Sequence, residues 1–295
     1  MMRISIIGLG RVGGAIAISL PKEKYSVENL VYREDPGDLA LNVVQARTPR
    51  IVAFETLVKL ESEVIFITTQ DSNIPSVAAE LADKIYGQPF VFHTSGALSS
   101  LSLKALQEKG CVTGSIHPLV SISKPELGPE RFRDAYFCVE GDEKAVSLAK
   151  DIVADLGGRS FHVDTKFKTL YHAAAVTACG HVVALFDAAV EMMTECDLSP
   201  ETSKEILIPL VASTIQNLSQ QSTAEALTGT FARADTETFT RHLTALNENV
   251  SDELLEIYLL LGERSLDLAA KQGASEERIE TLRAKVAIAK SKLKW

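Results

Sequence analysis

The sequence predicts an α/β fold, a Rossmann-type parallel sheet domain followed by an all-α domain. Three observations predict it. A short apolar run, Ile4 to Ile7, breaks at the cluster Gly8-x-Gly10-x-x-Gly13, which opens a helical pattern. Strand-length apolar runs then alternate with helix-period stretches as far as Val163. From about Lys166 onward only helix-period stretches remain. The expected domains are therefore 1–164 and 165–295, two being the better prior for a chain of this length.

Taken in order, Ile4–Ile7 is the first strand and Val12–Leu20 the first helix. Val27–Tyr32, Arg50–Ala53 and Val64–Thr68 read as the next strands. Asp71 or Ser72 followed by Pro75 starts a helix. Phe90–His93 is a strand, and Ser99 or Ser100 caps a helix that stops at Gly110. Val112–Ile116, Ala135–Glu140, a helix over Glu143–Leu156 and the strand Ser160–Val163 complete the domain. The helical domain is expected as Phe167–Glu195, Pro200–Gln220, Thr236–Asn247, Asp252–Gln272 and Ser275–Lys292, with no Pro/Gly/Ser-rich linker ahead of it. The apolar run Ala173–Val190 contains His181 and Asp187, which favours a core helix over a membrane span.

In this strand-then-helix setting the glycine cluster is the dinucleotide fingerprint. Gly8 permits the tight turn, Gly10 lets a pyrophosphate approach the backbone, and Gly13 lets helix and strand pack closely. The amides from Arg11 through Val12 to Gly13, at the positive end of the helix dipole, face the phosphates. The plain alternative is an ordinary glycine-rich turn. The end of the second strand selects the cofactor: where an NAD site carries an acid, Tyr32-Arg33-Glu34 offers a guanidinium. Arg33 suits a 2′-phosphate, so NADP is expected; Glu34 and Asp35 keep NAD as the weaker option. Thr68, Thr69, Gln70 and Ser95 should line the rest of the groove at the carboxyl edge of the sheet.

Hydride transfer to a carbonyl needs a proton donor or fixed positive charge at the oxygen, and an anchor for the rest of the substrate. His117, directly after a strand in Ser-Ile-His-Pro-Leu, is one candidate, with Ser95 as partner. Lys168 and His172, spaced i,i+4 on one helical face, are a second pair. A partly desolvated lysine there would be the better acid. Arg233, in the break Leu227–Asp235, is a candidate carboxylate clamp. Each has a bland counterpart: a structural histidine, a turn serine, a solvated lysine, a loop arginine. His181 is out of phase with His172, so no metal centre is expected from that pair.

The bulk composition excludes several classes. A net charge of −9 with no basic block argues against a nucleic-acid or anionic-membrane surface. Four scattered cysteines without a CxxC fit a reducing, cytoplasmic compartment. A strand already begun at residue 4 leaves no room for a signal peptide. The Leu, Ala and Val content of the helical stretches exceeds what one small bundle buries, so a homodimer through this domain is expected.

The motifs GLGRVGGA, HTSGALSS, SIHPL, KTLYHAAAV and ALTGTFARADTETFTRHL span nearly the whole chain. By them it resembles a bacterial family that joins an N-terminal Rossmann-like NADP-binding domain to a C-terminal helical domain of unknown function. That family is related to reductases of the ketopantoate, pyrroline-carboxylate and 6-phosphogluconate type. The resemblance implies acid work by Lys168, with His172 in place of the usual asparagine. Ser95 and His117-Pro118 look like the serine and His-Pro of prephenate dehydrogenases. Gly180 stands where many relatives have asparagine, and Gly229-Thr230 where they have Gly-Pro. The resemblance implies a soluble dimer with packed helical domains. The expected activity is NADP(H)-dependent oxidoreduction of a small carbonyl or hydroxy acid, ketopantoate-like first. A prephenate-type dehydrogenase and a non-catalytic NADP(H)-binding sensor or scaffold stay open.

Overall fold

Four consecutive apolar residues, Val64–Ile67, form a strand with no exposed side chain. Such a run fits a parallel sheet covered on both faces. Successive side chains alternate between them: Val64 and Phe66 join one core with Ile4, Ile6 and Phe92, while Ile65 and Ile67 join the other with Ile7, Val31 and Val91. The computed structural model describes residues 1–33, 43 and 47–293.

Among the described residues the sheet has eight strands, in the order β3-β2-β1-β4-β5-β6-β7-β8. They are β1 (Met2–Ile7), β2 (Tyr25–Tyr32), β3 (Arg50–Ala53), β4 (Val64–Ile67), β5 (Phe90–His93), β6 (Val112–Pro118), β7 (Tyr136–Gly141) and β8 (Arg159–Phe161). Helix α1 (Arg11–Ser19) follows β1, α2 (Ile74–Leu81) follows β4, and the short α3 (Lys104–Gln107) follows β5. All neighbours pair in parallel except β6 and β7. The strand order turns back at β1, between β2 and β4. In open sheets of this kind ligands bind beyond the carboxyl ends of the strands at that point.

The expected run of parallel strands is corrected at β7. The segment between β6 and β7 folds into a turn at Pro125–Leu127 and the short α4 (Gly128–Phe132). Both pack on α1: a Cβ on Gly14 would meet Pro125, and one on Gly128 would meet Ala15. With no crossover to the far edge, the chain re-enters antiparallel. Gly141 (φ +134) and Gly114 face each other at one end of the β6–β7 ladder, at backbone separations that leave no room for a Cβ. Helix α5 (Glu143–Asp155) then crosses the sheet and delivers β8 parallel to β7. β6 also runs past its expected end, so His117 lies inside the strand opposite Cys138.

The helical region comprises α6 (Lys168–Thr194), α7 (Pro200–Gln220), α8 (Gly229–Ala232), α9 (Thr236–Asn249), α10 (Asp252–Lys271) and α11 (Glu276–Lys290). Its starts follow side-chain capping: Ser199 accepts from the Thr202 amide, Asp235 from Thr238 and Ser251 from Leu254. By packing the chain divides into Met1–Gly180 and His181–Trp295, so that division falls inside α6, whereas the change from sheet to helix falls between Phe161 and Lys168. The second unit has its own core of Phe239, Leu255, Leu259, Leu266, Ile279, Leu282 and Val286. The expectation of a core helix over Ala173–Val190 is not met. Val183 is 68% and Leu185 44% exposed, and by length and composition alone Thr165–Thr194 could cross a membrane.

Phe66, fully buried with its ring 5.8 Å from Phe92, tests the first core. Phe66→Ala is expected to lower unfolding free energy by about 3–5 kcal/mol in urea titrations; a loss under about 1 kcal/mol would contradict the packing described.

Candidate active site

The turn after β1 is built for an anion. Gly8 adopts φ +98, a conformation open to glycine, and its carbonyl accepts the Thr68 hydroxyl at 2.5 Å. A Cβ on Gly13 would strike that same carbonyl and the Thr68 hydroxyl, so only glycine lets α1 start this close to the strands. A Cβ on Gly10 would meet nothing within 4 Å. Gly10 caps α1 without a side-chain bond, and the first turn carries no acid. The amides at the helix start are therefore not neutralised by a carboxylate of that turn, which suits a phosphate. Beside Gly8 the Thr69 hydroxyl is buried and has no hydrogen-bond partner among the described residues. These features fit a dinucleotide diphosphate.

Arg33, at the end of β2, lies over the Phe54 ring at 4.5 Å and bonds Glu80 of α2 at 2.7 Å. Both charged side chains are substantially exposed, so the pair is weakly held and a phosphate can compete for the guanidinium. Glu34 and Asp35, the alternative ribose ligands, lie outside the described residues. Arg11 and Gln70 are exposed at the same edge.

Further along that edge, beyond β5 and β6, a cavity of about 370 Å³ opens between Pro118–Ser121 and the first turns of α6. His117 and His172 both line it, with ring centroids 5.8 Å apart at 79°. Gly96 lies against both rings: a Cβ there would come within 2.5 Å of His172 and 2.7 Å of His117. His117 Nδ1 bonds the Tyr171 hydroxyl at 2.8 Å. Burial, then His172, then Lys168 push the His117 pKa down to about 4, so the ring is neutral at pH 7.

Lys168 is held away from this wall. It is 1% exposed, its Nζ donates to Ser115 Oγ, and it lies 3.1 Å from Glu140, which faces Ser115 across the β6–β7 ladder. Glu140 also accepts from the Ser100 amide at 2.7 Å and the Ser100 hydroxyl at 2.9 Å. Burial lowers the Lys168 pKa while Glu140 opposes the shift. Ser95 serves the turn after β5: it accepts from the Ala97 and Leu98 amides and donates to Asp71 at 2.7 Å. Arg233 is exposed just after α8, in the second unit, and its charge lowers the Asp235 pKa behind the backbone and hydroxyl bonds from Thr238.

The structure thus brings together His117 and His172, with Lys168 buried behind them. Sequence reasoning missed Tyr171, Gly96 and Glu140. Tyr171 and Gly96 sit inside the motifs already singled out, but their partners are on other elements, which local spacing does not show. Among the described residues no group of three or more His, Cys, Asp or Glu is placed to hold a metal.

The class defined by this fold is a Rossmann-like domain joined to a helical domain. Residues 1–118 match the profile of a Rossmann-like domain, and residues 135–265 that of a domain of unknown function (DUF2520). Among curated protein sequences none matches the chain. Solved structures do. A Bacteroides fragilis protein provisionally assigned as an NADP oxidoreductase is 18% identical, with TM-score 0.72 over 90% of this chain and 98% of its own. A pyrroline-5-carboxylate reductase from Coxiella burnetii is 15% identical, with TM-score 0.55 over 92% and 98%. A reductive aminase from Aspergillus terreus, in complex with NADPH and ethyl-5-oxohexanoate, is 14% identical, with TM-score 0.56 over 98% and 93%. The chain therefore has an NADP-dependent-oxidoreductase-like fold.

Lys168→Met leaves Glu140 buried without its counter-charge and is expected to cost about 3–5 kcal/mol of stability in urea titration; a neutral result would show that the pair does not hold the helix. His93, whose pKa is pushed down to about 3 by burial and Lys168, and His117, at about 4, refuse protons that the unfolded chain takes up near 6.5. Their contribution is intact above about pH 6.5 and is lost as pH falls toward 4, by about 1.4 kcal/mol per pH unit for each histidine. His93→Gln should flatten that decline in urea titrations run from pH 7 to pH 5; an unchanged slope would contradict it.

Proposed function

We propose that the chain is an NADP(H)-dependent oxidoreductase acting on a small carbonyl or hydroxy acid. The observation that carries this reading is the uncapped start of α1 behind the open Gly10, on the same sheet edge as the His117 cavity. The solved structures that share the fold support it through the NADP and NADPH named with them. The amides of Arg11 to Gly13 hold the diphosphate, the Thr69 hydroxyl gains a partner there, and Arg33 exchanges Glu80 for the adenosine 2′-phosphate. When bound, the nicotinamide supplies a hydride to the substrate carbon. His117, neutral at pH 7, donates a hydrogen bond where charge develops on the oxygen. Lys168 acts through the field it places behind His117, and His172 forms the facing wall. Ketopantoate is the first substrate to try.

The test is NADPH consumption with a panel of 2-oxo acids, ketopantoate and pyrroline-5-carboxylate. Turnover with at least one is expected, and His117→Ala should lower kcat by about 100-fold. Binding without consumption across the panel would favour the sensor reading, and oxidation with decarboxylation of a ring alcohol the prephenate type. Arg33→Ala is expected to weaken NADPH binding by about tenfold or more while leaving NADH unchanged; an equal loss for both would remove Arg33 from the phosphate.

We also infer that a second copy covers exposed apolar side chains of the helical region, among them Val183, Leu185, Ile206, Ile208 and Leu210. Sedimentation should give a dimer at micromolar concentration; a stable monomer would refute it.

A further inference from the structure

Tyr171 and His117 lie on different elements, α6 and β6, and meet through one hydrogen bond of 2.8 Å between the hydroxyl and Nδ1. A neutral imidazole has one donor nitrogen and one acceptor, and the bond at one nitrogen settles which is which. Two arrangements are open. Either the hydroxyl donates to Nδ1 and the ring proton sits on Nε2, or Nδ1–H donates to the hydroxyl and Nε2 is bare.

The surroundings decide between them. Burial, with Cys138 adding to it, raises the Tyr171 pKa, so the oxygen keeps its proton. Among the described residues Nδ1 is the one acceptor bonded to that hydroxyl. Donation to Nδ1 satisfies the O–H, whereas the reverse arrangement leaves it with no acceptor among the described residues. Tyr171 and His172 hold the ring through T-shaped contacts at centroid separations of 5.7 and 5.8 Å, and Gly96 leaves room at its Cε1–Nε2 edge that a Cβ, 2.8 Å from Nε2, would fill. Tyr171 is itself steadied by Phe161, at a centroid separation of 5.7 Å.

We propose that Tyr171 is a positioning residue that fixes His117 as the Nε2–H tautomer, so that the edge left for a ligand in the cavity is a hydrogen-bond donor. This deepens the oxidoreductase reading and rests on it for its catalytic meaning. A donor at Nε2 suits an oxygen gaining negative charge, as in reduction of a carbonyl: hydride and its electron pair go to carbon, the Nε2–H holds the developing oxyanion by a hydrogen bond, and the proton that neutralises that oxygen comes from water. A bare Nε2 would instead suit abstraction of a proton from an alcohol.

The experiment is nitrogen-15 NMR of the histidine side chains at pH 7 in the whole chain, with His117 assigned by loss of its signals in His117→Gln. The wild type should show His117 in the Nε2–H form. Tyr171→Phe keeps the ring contacts and removes only the hydroxyl; it should shift His117 toward a tautomer mixture. An Nδ1–H wild type, or a tautomer unchanged by Tyr171→Phe, would overturn the proposal, whether or not a substrate is found. Urea titration of the variant checks that the fold persists; were it lost, the wild-type spectrum alone would still decide. With a turned-over substrate, Tyr171→Phe is expected to lower kcat by tenfold or more, with the KM for NADPH unchanged. A rise in the substrate KM with kcat unchanged would place Tyr171 in binding and overturn its positioning role.

Discussion

The buried ion pair between Lys168 and Glu140 is the contact on which the cavity depends. It joins the first residue of a long helix to the one antiparallel joint in the sheet. Burying two charges is costly, and the geometry offsets that cost only because Ser100 and Ser115 supply the remaining bonds. With Lys168 fixed, helical periodicity brings Tyr171, His172 and Ala175 round to the side facing β6. The cavity is thus a consequence of where one lysine is tied down. Burial keeps His93 and His117 neutral, and the Lys168 charge adds to that effect at both.

Much of the fold was legible because its signals are local. The glycine turn, the apolar runs of β1, β4 and β5, and the capping residues Ser199, Asp235 and Ser251 each act within a few positions of themselves. The shift from alternating elements to helices was equally plain. The direction of β7 was not, since an apolar run carries no polarity. What reverses it is the packing of Pro125 and Gly128 against α1, a contact between distant parts of the chain. The exposure of α6 was also hidden, because an apolar composition does not say which surface covers it.

The site was legible in part. His117 was found from its place at the end of a strand and His172 from its spacing to Lys168, and the two line one cavity. Lys168 was found by the same rule, but its buried carboxylate partner sits on a strand whose sequence gives no hint of the pairing. Ser95 was read as a partner for His117; its hydroxyl is used by the turn that follows β5. Tyr171, one position from His172 on the helix, escaped because its partner lies across the sheet edge.

Every functional step assumes that a phosphate-bearing nucleotide settles on the amides behind Gly10. Isothermal calorimetry with NADPH on the purified chain tests this most directly. NADPH should give a saturable heat at one site per chain, abolished or strongly weakened when Gly13 is replaced by valine in a variant that still folds. No heat from NADPH, or the same heat from that variant, would contradict it.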